Sequence, residues 1–232
     1  MAKPYLNPEP VPPASQLAVL PFLGAVDGFL RDGVNVLNLR ITAHRAISRE
    51  GKGYLQQVCP YLEADGANWR GVGRIYPVDE GVIGAAFENG RIWRTKSYAR
   101  PELFLPDLLR SMRESGDQRS PDEVAWSYLA VPFLGPDDQV VLILYADCKN
   151  LNFFADDFRV GSVVSMCRGF CRLFDSLQKD PFPNLRNFPL QRGEPIVGSN
   201  RTVYRIIQES LGAIETPKFS EVSSFNYEAS AA

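Results

Sequence analysis

The residues of this chain best suited to covalent or metal chemistry are four cysteines and a single histidine. Cys59, Cys148, Cys167 and Cys171 form no Cys-x-x-Cys pair, and the histidine is His44. Cys167 and Cys171 lie one helical turn apart, which supplies half of a tetrahedral zinc site. One histidine does not complete that site, and free cysteines commonly pack as small hydrophobic residues. The sequence therefore predicts buried structural thiols and no metal site.

Motifs for nucleotide-driven and hydrolytic chemistry are absent from the sequence. No Gly-x-Gly-x-x-Gly follows a strand, and no phosphate-binding loop ends in Gly-Lys-Ser/Thr. No Gly-x-Ser-x-Gly turn accompanies the one histidine. We therefore expect no catalytic residue and no cofactor.

The composition indicates one folded domain that does not bind nucleic acid. The 232 residues include 25 Lys+Arg and 27 Asp+Glu, so the formal net charge is -2 and there is no basic field to hold a phosphate backbone. No apolar run approaches the ~20 residues of a membrane-spanning helix, and the N-terminal MAKPYLNPEPVPPAS lacks the apolar core of a secretory signal. We expect a cytoplasmic protein with no membrane span.

Hydrophobic periodicity predicts an α+β fold, with a single antiparallel sheet of about six strands between helical layers. Gly135-Pro136-Asp137-Asp138 predicts the turn of the clearest hairpin. The predicted helices are 14–30, 80–90, 101–113, 157–178 and 200–211. The predicted strands are 34–47, 54–62, 74–78, 91–96, 126–134 and 139–147.

Proline-rich segments delimit the predicted domain. Residues 1–13 contain five prolines and are expected to form a mobile arm. Residues 14–178 form the domain, and 179–232 form a C-terminal extension with a Pro-rich strap, a short helix and a mobile tail. Within the extension we expect Leu185–Glu194 to pack on the domain or on a dimer mate, because its residues are too apolar for a solvated linker.

Several segments of residues 14–178 together resemble a GAF domain, a small-molecule sensor fold related to PAS. The matching pieces are Glu80-Gly81-x-x-Gly84 with Asn89-Gly90, Ala130-Val131-Pro132 in the hairpin, the strand end Tyr145-Ala146-Asp147, and Phe153-Phe154 before Asp157. The resemblance implies a non-enzymatic sensor or regulatory module. Such a module binds a small molecule or a protein partner and signals through its helices to an output protein in trans.

The resemblance also implies where a ligand lies, between one face of the sheet and a lid over residues 97–123. Arg94 and Arg100, near the entrance of the lid, offer bidentate hydrogen bonds to an anionic ligand. If the aromatic side chains instead fill the pocket themselves, the chain is a dimeric protein-interaction scaffold. The candidate ligand-binding residues are Tyr54, Trp93, Arg94, Phe104, Leu108, Trp126, Tyr128 and Tyr145.

Two further functions are weaker alternatives. The cyclic-nucleotide-binding GAF domains of phosphodiesterases carry an Asn-Lys, Phe, Asp-Glu signature, which Lys149-Asn150, Phe153 and Asp156-Asp157 match only in part. GAF-type methionine sulfoxide reductases use thiols near the EGxxG turn and in the lid, and residues 80–126 contain no cysteine. A thiol redox enzyme would have to use Cys59 or Cys148.

The sequence also predicts a homodimer. The first helix, Leu17 to Leu30, and the long helix, Asp157 to Leu177, carry apolar residues on more than one face. One sheet covers only one face of a helix, so Val160, Val164 and Met166 should be covered by a partner.

Overall fold

The chain has an α+β fold in which one antiparallel sheet lies between helices. The computed structural model describes residues 8–49, 51–78, 81–115, 117–179, 204–206 and 216–219. The helices of those ranges are α1 (Pro13–Arg31), α2 (Gly81–Asn89), α3 (Pro101–Ser115) and α4 (Asp157–Lys179). The strands there are β1 (Arg40–Arg49), β2 (Lys52–Gln57), β3 (Tyr61–Glu63), β4 (Gly66–Asn68), β5 (Ile75–Pro77), β6 (Trp93–Thr95), β7 (Ser127–Leu134), β8 (Val140–Cys148) and β9 (Tyr204–Ile206).

The nine strands of the described ranges form a single sheet. Its order is β4-β3-β1-β8-β7-β6-β9, and β2 pairs with β1 and β5. The sequence predicts about six strands, and part of the difference arises at Pro60. This residue has no backbone N–H and separates β2 from β3 within the predicted strand 54–62.

The predicted hairpin of β7 and β8 is present, and it lies at the centre of the sheet. The Gly135 N–H donates to the Gln139 carbonyl at 2.7 Å and closes the turn. Asp138 in that turn has a φ of 61°, a left-handed conformation that Asp tolerates better than most residues. On its other edge β8 pairs with β1. Strands β1 and β8 carry four of the six residues of the candidate site.

One face of the sheet packs against α1 and α4; we call it the apolar face. Phe22 of α1 stacks on Phe170 of α4 with ring centroids 4.5 Å apart, and both rings contact Phe133 of β7. The buried residues of this face include Leu39, which precedes β1, Ile41 and Ala43 of β1, and Leu142, Leu144, Ala146 and Cys148 of β8. This side of the sheet holds the largest hydrophobic core of the described residues.

The apolar residues of α4 that predict a homodimer are covered within the chain. Val160 and Val164 are at most 1% exposed, and Met166 packs against the same core. They pack together with α1 and the sheet. The homodimer therefore stays a prediction, and its support must come from other side chains.

Two short pieces of the C-terminal extension take part in the fold. Tyr204–Ile206 forms β9 and pairs with β6, so the helix predicted over 200–211 is wrong at these residues. A β-branched and aromatic run gains more from pairing with an open sheet edge than from its local helical periodicity. Further along, Phe219 is fully buried, with its ring centroid 6.0 Å from that of Phe133. The extension thus completes both the sheet edge and the core.

The N-terminal arm contacts the domain at Glu9. The Glu9 N–H donates to the Gly73 carbonyl at 3.0 Å, and Gln56 Nε2 donates to the Glu9 carbonyl at 2.9 Å. The first helix, α1, is continuous through Pro21, although a proline inside a helix removes one backbone hydrogen bond. The predicted docking of Leu185–Glu194 and the predicted mobile tail from Ser220 lie outside the described residues.

Across the helices that the structure describes, none is both long enough and apolar enough to cross a membrane.

Candidate functional site

Polar and aromatic side chains gather on the face of the sheet opposite the apolar face. Residues of β1 and β8 that alternate with the apolar ones point to this side, and Arg40 lies directly opposite Asp147 in the register. Tyrosines of β3 and β5 join them through ring contacts. We call the group the tyrosine–histidine cluster; its members are Arg40, His44, Tyr61, Tyr76, Tyr145 and Asp147.

His44 lies at the centre of this cluster and is 1% exposed. Its ring makes edge-to-face contacts with Tyr76 and Tyr145, with centroids 5.5 and 6.0 Å away. Among the residues that the structure describes, none forms a hydrogen bond with His44 Nδ1. Burial lowers the pKa of the imidazole from 6.5 to about 3, because the charged form loses its hydration. At neutral pH the cluster therefore contains an uncharged imidazole with an unused hydrogen-bonding nitrogen.

The Asp147 carboxylate, 1% exposed, is held by two neighbours. Arg40 donates from Nε to Oδ1 at 2.8 Å and from its terminal nitrogen to Oδ2 at 2.6 Å. The Tyr145 hydroxyl donates to Oδ2 at 2.6 Å. The bond to Asp147 raises the pKa of Arg40, and burial followed by the charge of Asp147 raises that of Tyr145. The charges of Arg40 and Asp147 therefore neutralise one another, and the Tyr145 hydroxyl stays protonated at neutral pH and donates a hydrogen bond.

Tyr61 closes one side of the cluster. The ring centroids of Tyr61 and Tyr145 are 6.3 Å apart. The guanidinium carbon of Arg40 lies 5.1 Å from the centroid of the Tyr61 ring. Burial, followed by the charge of Asp147, raises the pKa of Tyr61. Tyr61 therefore also stays protonated near neutral pH, as a partly buried phenol beside a cation.

A buried amide supports the other side of the cluster. The Tyr76 hydroxyl donates to Gln57 Oε1 at 3.4 Å, and Gln57 Nε2 donates to the Cys59 carbonyl at 2.9 Å. Gly71 leaves room for this amide, since a Cβ at that position would lie 2.5 Å from Gln57 Oε1. Any side chain at residue 71 would displace Gln57 and, through it, the hydroxyl of Tyr76.

Three of the eight residues predicted to bind a ligand lie on the face of the cluster. Tyr145 belongs to the cluster itself. Tyr128 lies on β7 opposite Asp147, close enough to contribute to the raised pKa of Tyr145. Trp93 is 4% exposed and lies on the same face, where it packs in a hydrophobic cluster that includes buried residues of α2.

Three other predicted residues form a small core of their own. Phe104 and Leu108 of α3 are at most 3% exposed and pack with Trp126, Tyr98 and Val124. The Phe104 ring centroid lies 5.8 Å from that of Trp126 and 5.3 Å from that of Tyr98. The apolar stripe of α3 therefore packs on the segments that flank the lid.

Tyr54 and Arg94 are directed away from the cluster. Tyr54 is half-buried and alternates along β2 with Leu55, which packs on α2, so the two lie on opposite sides of the strand. Arg94 is 1% exposed and donates to the Phe154 carbonyl at 3.0 Å and to Asp157 Oδ1 at 2.6 Å. These hydrogen bonds connect β6 to the start of α4. Arg100 is exposed just before α3.

The sequence interpretation missed most of the cluster, although the strands contain a signal for it. Arg40, Thr42 and His44 alternate with apolar residues, and Tyr145 and Asp147 do the same on β8, the strand that pairs with β1. Polar residues at every second position of a strand share one face. That pattern could have located β1 and β8, whereas nothing local indicates that Tyr61 and Tyr76 join them.

The end of β8 connects the cluster with the lid segment. Two residues after Asp147, the Lys149 ammonium donates to the carbonyls of Asp122 and Val124, the latter at 2.5 Å. Asn152 accepts from the Tyr98 N–H at 2.9 Å and donates to the Tyr98 carbonyl at 2.6 Å. The loop between β8 and α4 therefore holds both ends of the lid.

The thiols lie away from the cluster side chains and are poorly reactive. All four cysteines are buried and free. Burial raises the pKa of Cys59 and of Cys148 to about 12, and it raises those of Cys167 and Cys171 as well. Only the thiolate is nucleophilic, so these groups are inert near neutral pH. Within the described ranges, no three His, Cys, Asp or Glu side chains are arranged to hold a metal ion.

Comparison of the sequence with protein-family models found no match, and comparison with curated proteins found none either. The function of this chain is therefore inferred from its own side chains.

Proposed function

We propose that this chain is a non-enzymatic regulatory module of the GAF type, which binds a small molecule at the tyrosine–histidine cluster. The observation that carries the proposal is the buried His44, whose Nδ1 has no hydrogen-bond partner among the described residues. Leaving a buried polar group unsatisfied costs about 1–3 kcal/mol. A structural core gains nothing from that cost, whereas a binding site uses the free nitrogen to recognise its ligand.

The connections of β8 support signalling through the helices. A ligand that moves Asp147 also moves Lys149, which holds the lid carbonyls, and Asn152, which holds Tyr98. The next residues, Phe153–Ala155, form the 3-10 turn that leads into α4. Binding at the cluster would thus reach the lid and α4 within ten residues of chain, and the helix would pass the change to an output protein in trans.

A thermal-shift screen of a broad small-molecule panel tests the proposal. Ligand binding to the folded state alone adds about 2.7 kcal/mol at a concentration of 100 Kd, which raises Tm measurably. The shift caused by a true ligand should disappear in His44→Phe and persist in Tyr54→Phe. The first variant keeps a ring but loses both nitrogens, and the second alters a half-buried tyrosine on the far side of β2.

Native mass spectrometry of the purified chain complements the screen. A retained small molecule, lost from His44→Phe, supports the proposal. If no compound shifts Tm and no molecule is retained, the sensor function is rejected.

A dimeric protein-interaction scaffold is the second candidate function. It is favoured by three large apolar side chains that remain exposed on α1 and α4: Leu17 at 73%, Phe158 at 79% and Leu173 at 56%. Light scattering at tens of micromolar tests it, and a dimer that Leu17→Asp or Leu173→Asp dissociates would support it. A monomer of the unaltered chain at that concentration contradicts it.

Cyclic-nucleotide binding and thiol redox catalysis receive less support. Lys149 of the partial nucleotide signature donates to lid carbonyls, and Asn150 accepts from the Leu37 N–H, so both side chains already bind their own chain. The thiols of Cys59 and Cys148 are buried and protonated at neutral pH. Cyclic nucleotides in the same thermal-shift panel test the first alternative.

A further inference from the structure

The buried groups of the tyrosine–histidine cluster carry no net charge. Arg40 and Asp147 neutralise one another, His44 is uncharged, and Tyr61 and Tyr145 keep their protons because their pKa values are raised. A charged ligand would lose its hydration here without gaining a counter-charge, which is strongly unfavourable. The cluster is therefore suited to an uncharged molecule.

Charged groups around the cluster do not change this balance. Arg74 is near enough to Tyr61 to affect its pKa, but its side chain is exposed. Arg119 is near enough to Tyr145 for that phenol to affect the pKa of Arg119, but Arg119 is paired with Asp117 at 2.6 Å and 58% of its side chain is exposed. Exposed charges are screened by water and salt, so they select weakly between ligands.

The hydrogen bond missing at His44 defines one group of the ligand. A neutral imidazole nitrogen is either a donor or an acceptor, depending on the tautomer. A hydroxyl can both donate and accept, so it satisfies His44 Nδ1 in either case. The neighbouring rings of Tyr76 and Tyr145 already contact His44 edge to face, which is a favourable arrangement for a further planar aromatic ring.

We propose that the ligand of the tyrosine–histidine cluster is a phenol: an uncharged, planar aromatic molecule whose hydroxyl hydrogen-bonds with His44 Nδ1. This inference rests on the proposed function. Because Nδ1 is covered in this structure, the ligand displaces a neighbour, and we assign that role to Tyr76. Tyr76 is half-buried on the three-residue strand β5, and its own phenol ring lies closer to His44 than the ring of Tyr145 does.

Five small probes against the full chain test this assignment by NMR titration. Phenol is compared with toluene, which lacks the hydroxyl, with benzoate and benzylamine, which are charged, and with cyclohexanol, which lacks the planar ring. We expect phenol to bind at least about tenfold more tightly than each of the others. Toluene loses the hydrogen bond, benzoate and benzylamine lose the hydration of a charge, and cyclohexanol loses the contacts of a planar ring. His44→Phe should weaken phenol about tenfold and leave toluene unchanged, and Tyr54→Phe should alter neither.

Urea unfolding of each variant first establishes that it folds. The Tyr76→Ala variant supplies a second measurement. It removes the tyrosine ring that covers His44, so the added phenol should bind more tightly, and His44→Phe should abolish that gain. Equal affinity for phenol and toluene would overturn the hydroxyl pairing, and tighter binding of benzoate or benzylamine would overturn the uncharged class.

The failure of this inference is distinguishable from that of the proposed function. If the broad panel yields a His44-dependent ligand that is not a phenol, only the ligand class is wrong. If phenol binds Tyr76→Ala but nothing binds the unaltered chain, Tyr76 permanently fills the site, and both proposals fall.

Discussion

The two faces of the central sheet bury side chains of opposite character along the same strands. On β1, Ile41 and Ala43 are fully buried against α1 and α4, while Thr42 and His44 are equally inaccessible on the other side. Burial of polar groups stabilises a fold only when each is hydrogen-bonded, and the His44 nitrogen has no such partner in the described part of the chain. The contribution of burial to stability explains why the residues of the apolar face are buried. It does not explain why the polar residues of the cluster are buried.

Truncation of the apolar face should give the largest loss of stability. Phe133 is fully buried and contacts the rings of Phe22, Phe170 and Phe219. Phe133→Ala should lower the free energy of unfolding by about 3–5 kcal/mol, because it leaves a cavity that its neighbours fill only partly. Urea denaturation measures the loss. Tyr145→Phe on the opposite face removes one hydrogen bond to the charged Asp147 and should cost about 1.5–3 kcal/mol. Equal losses of stability in the two variants would contradict the difference between the faces.

Acid should act on the cluster through His44. The folded pKa is about 3, whereas the unfolded value is 6.5, so the unfolded chain binds a proton first as the pH falls. The stability due to neutral His44 is complete above pH 6.5 and is lost progressively towards pH 3. Between pH 7 and pH 5 this amounts to about 2 kcal/mol. Urea unfolding at both pH values should show that His44→Phe loses less stability than the unaltered chain, and identical losses would contradict the burial of His44.

Neutralising Asp147 should have a smaller effect. Asp147→Asn keeps the shape of the side chain but leaves Arg40 without its counter-ion and weakens the acceptor of Tyr145. Because 39% of the Arg40 side chain is exposed, water screens part of this loss, and we expect about 1–2 kcal/mol. A double-mutant cycle with Arg40→Met isolates the pair. A coupling energy of zero would show that the pair contributes nothing to the cluster.

The thiols of the apolar face should show the smallest effect. Iodoacetamide at pH 8 should modify none of Cys59, Cys148, Cys167 and Cys171 in the native chain, because all are buried and their pKa values are raised. All four should react in denaturant. Intact mass spectrometry counts the modified thiols, and rapid native labelling of Cys59 or Cys148 would revive the redox alternative.

The sequence predicted correctly those elements whose formation depends on residues close together in the chain. The hairpin of β7 and β8 follows from its Gly-Pro-Asp-Asp turn, and α4 follows from its apolar spacing. Strand β9 was missed because its partner β6 lies more than a hundred residues earlier in the chain. Local periodicity cannot show which edge of a sheet is open, so a run that fits a helix became a strand.

The candidate site was predicted less well than the fold for a related reason. Phe104 of the lid and Trp126 of the strand that follows it were expected to line a ligand pocket, but they pack on one another. The tyrosines that do meet on the sheet, Tyr61 and Tyr145, are far apart in sequence and come together only through the pairing of β3, β1 and β8. Which aromatic residues share a face is thus a property of strand order.

The burial of Phe219 affects how the protein must be made. Phe219 fits against Phe133, Phe170 and Phe174, yet ~40 residues separate it from the end of α4. At a synthesis rate of about 5–20 residues per second, the ribosome needs roughly 2–8 seconds to add them. During that interval a nascent chain already containing α1, strands β1 to β8 and α4 leaves a cluster of phenylalanine rings uncovered. Chaperones that bind exposed aromatic surface should therefore hold this chain until the segment around Phe219 is synthesised.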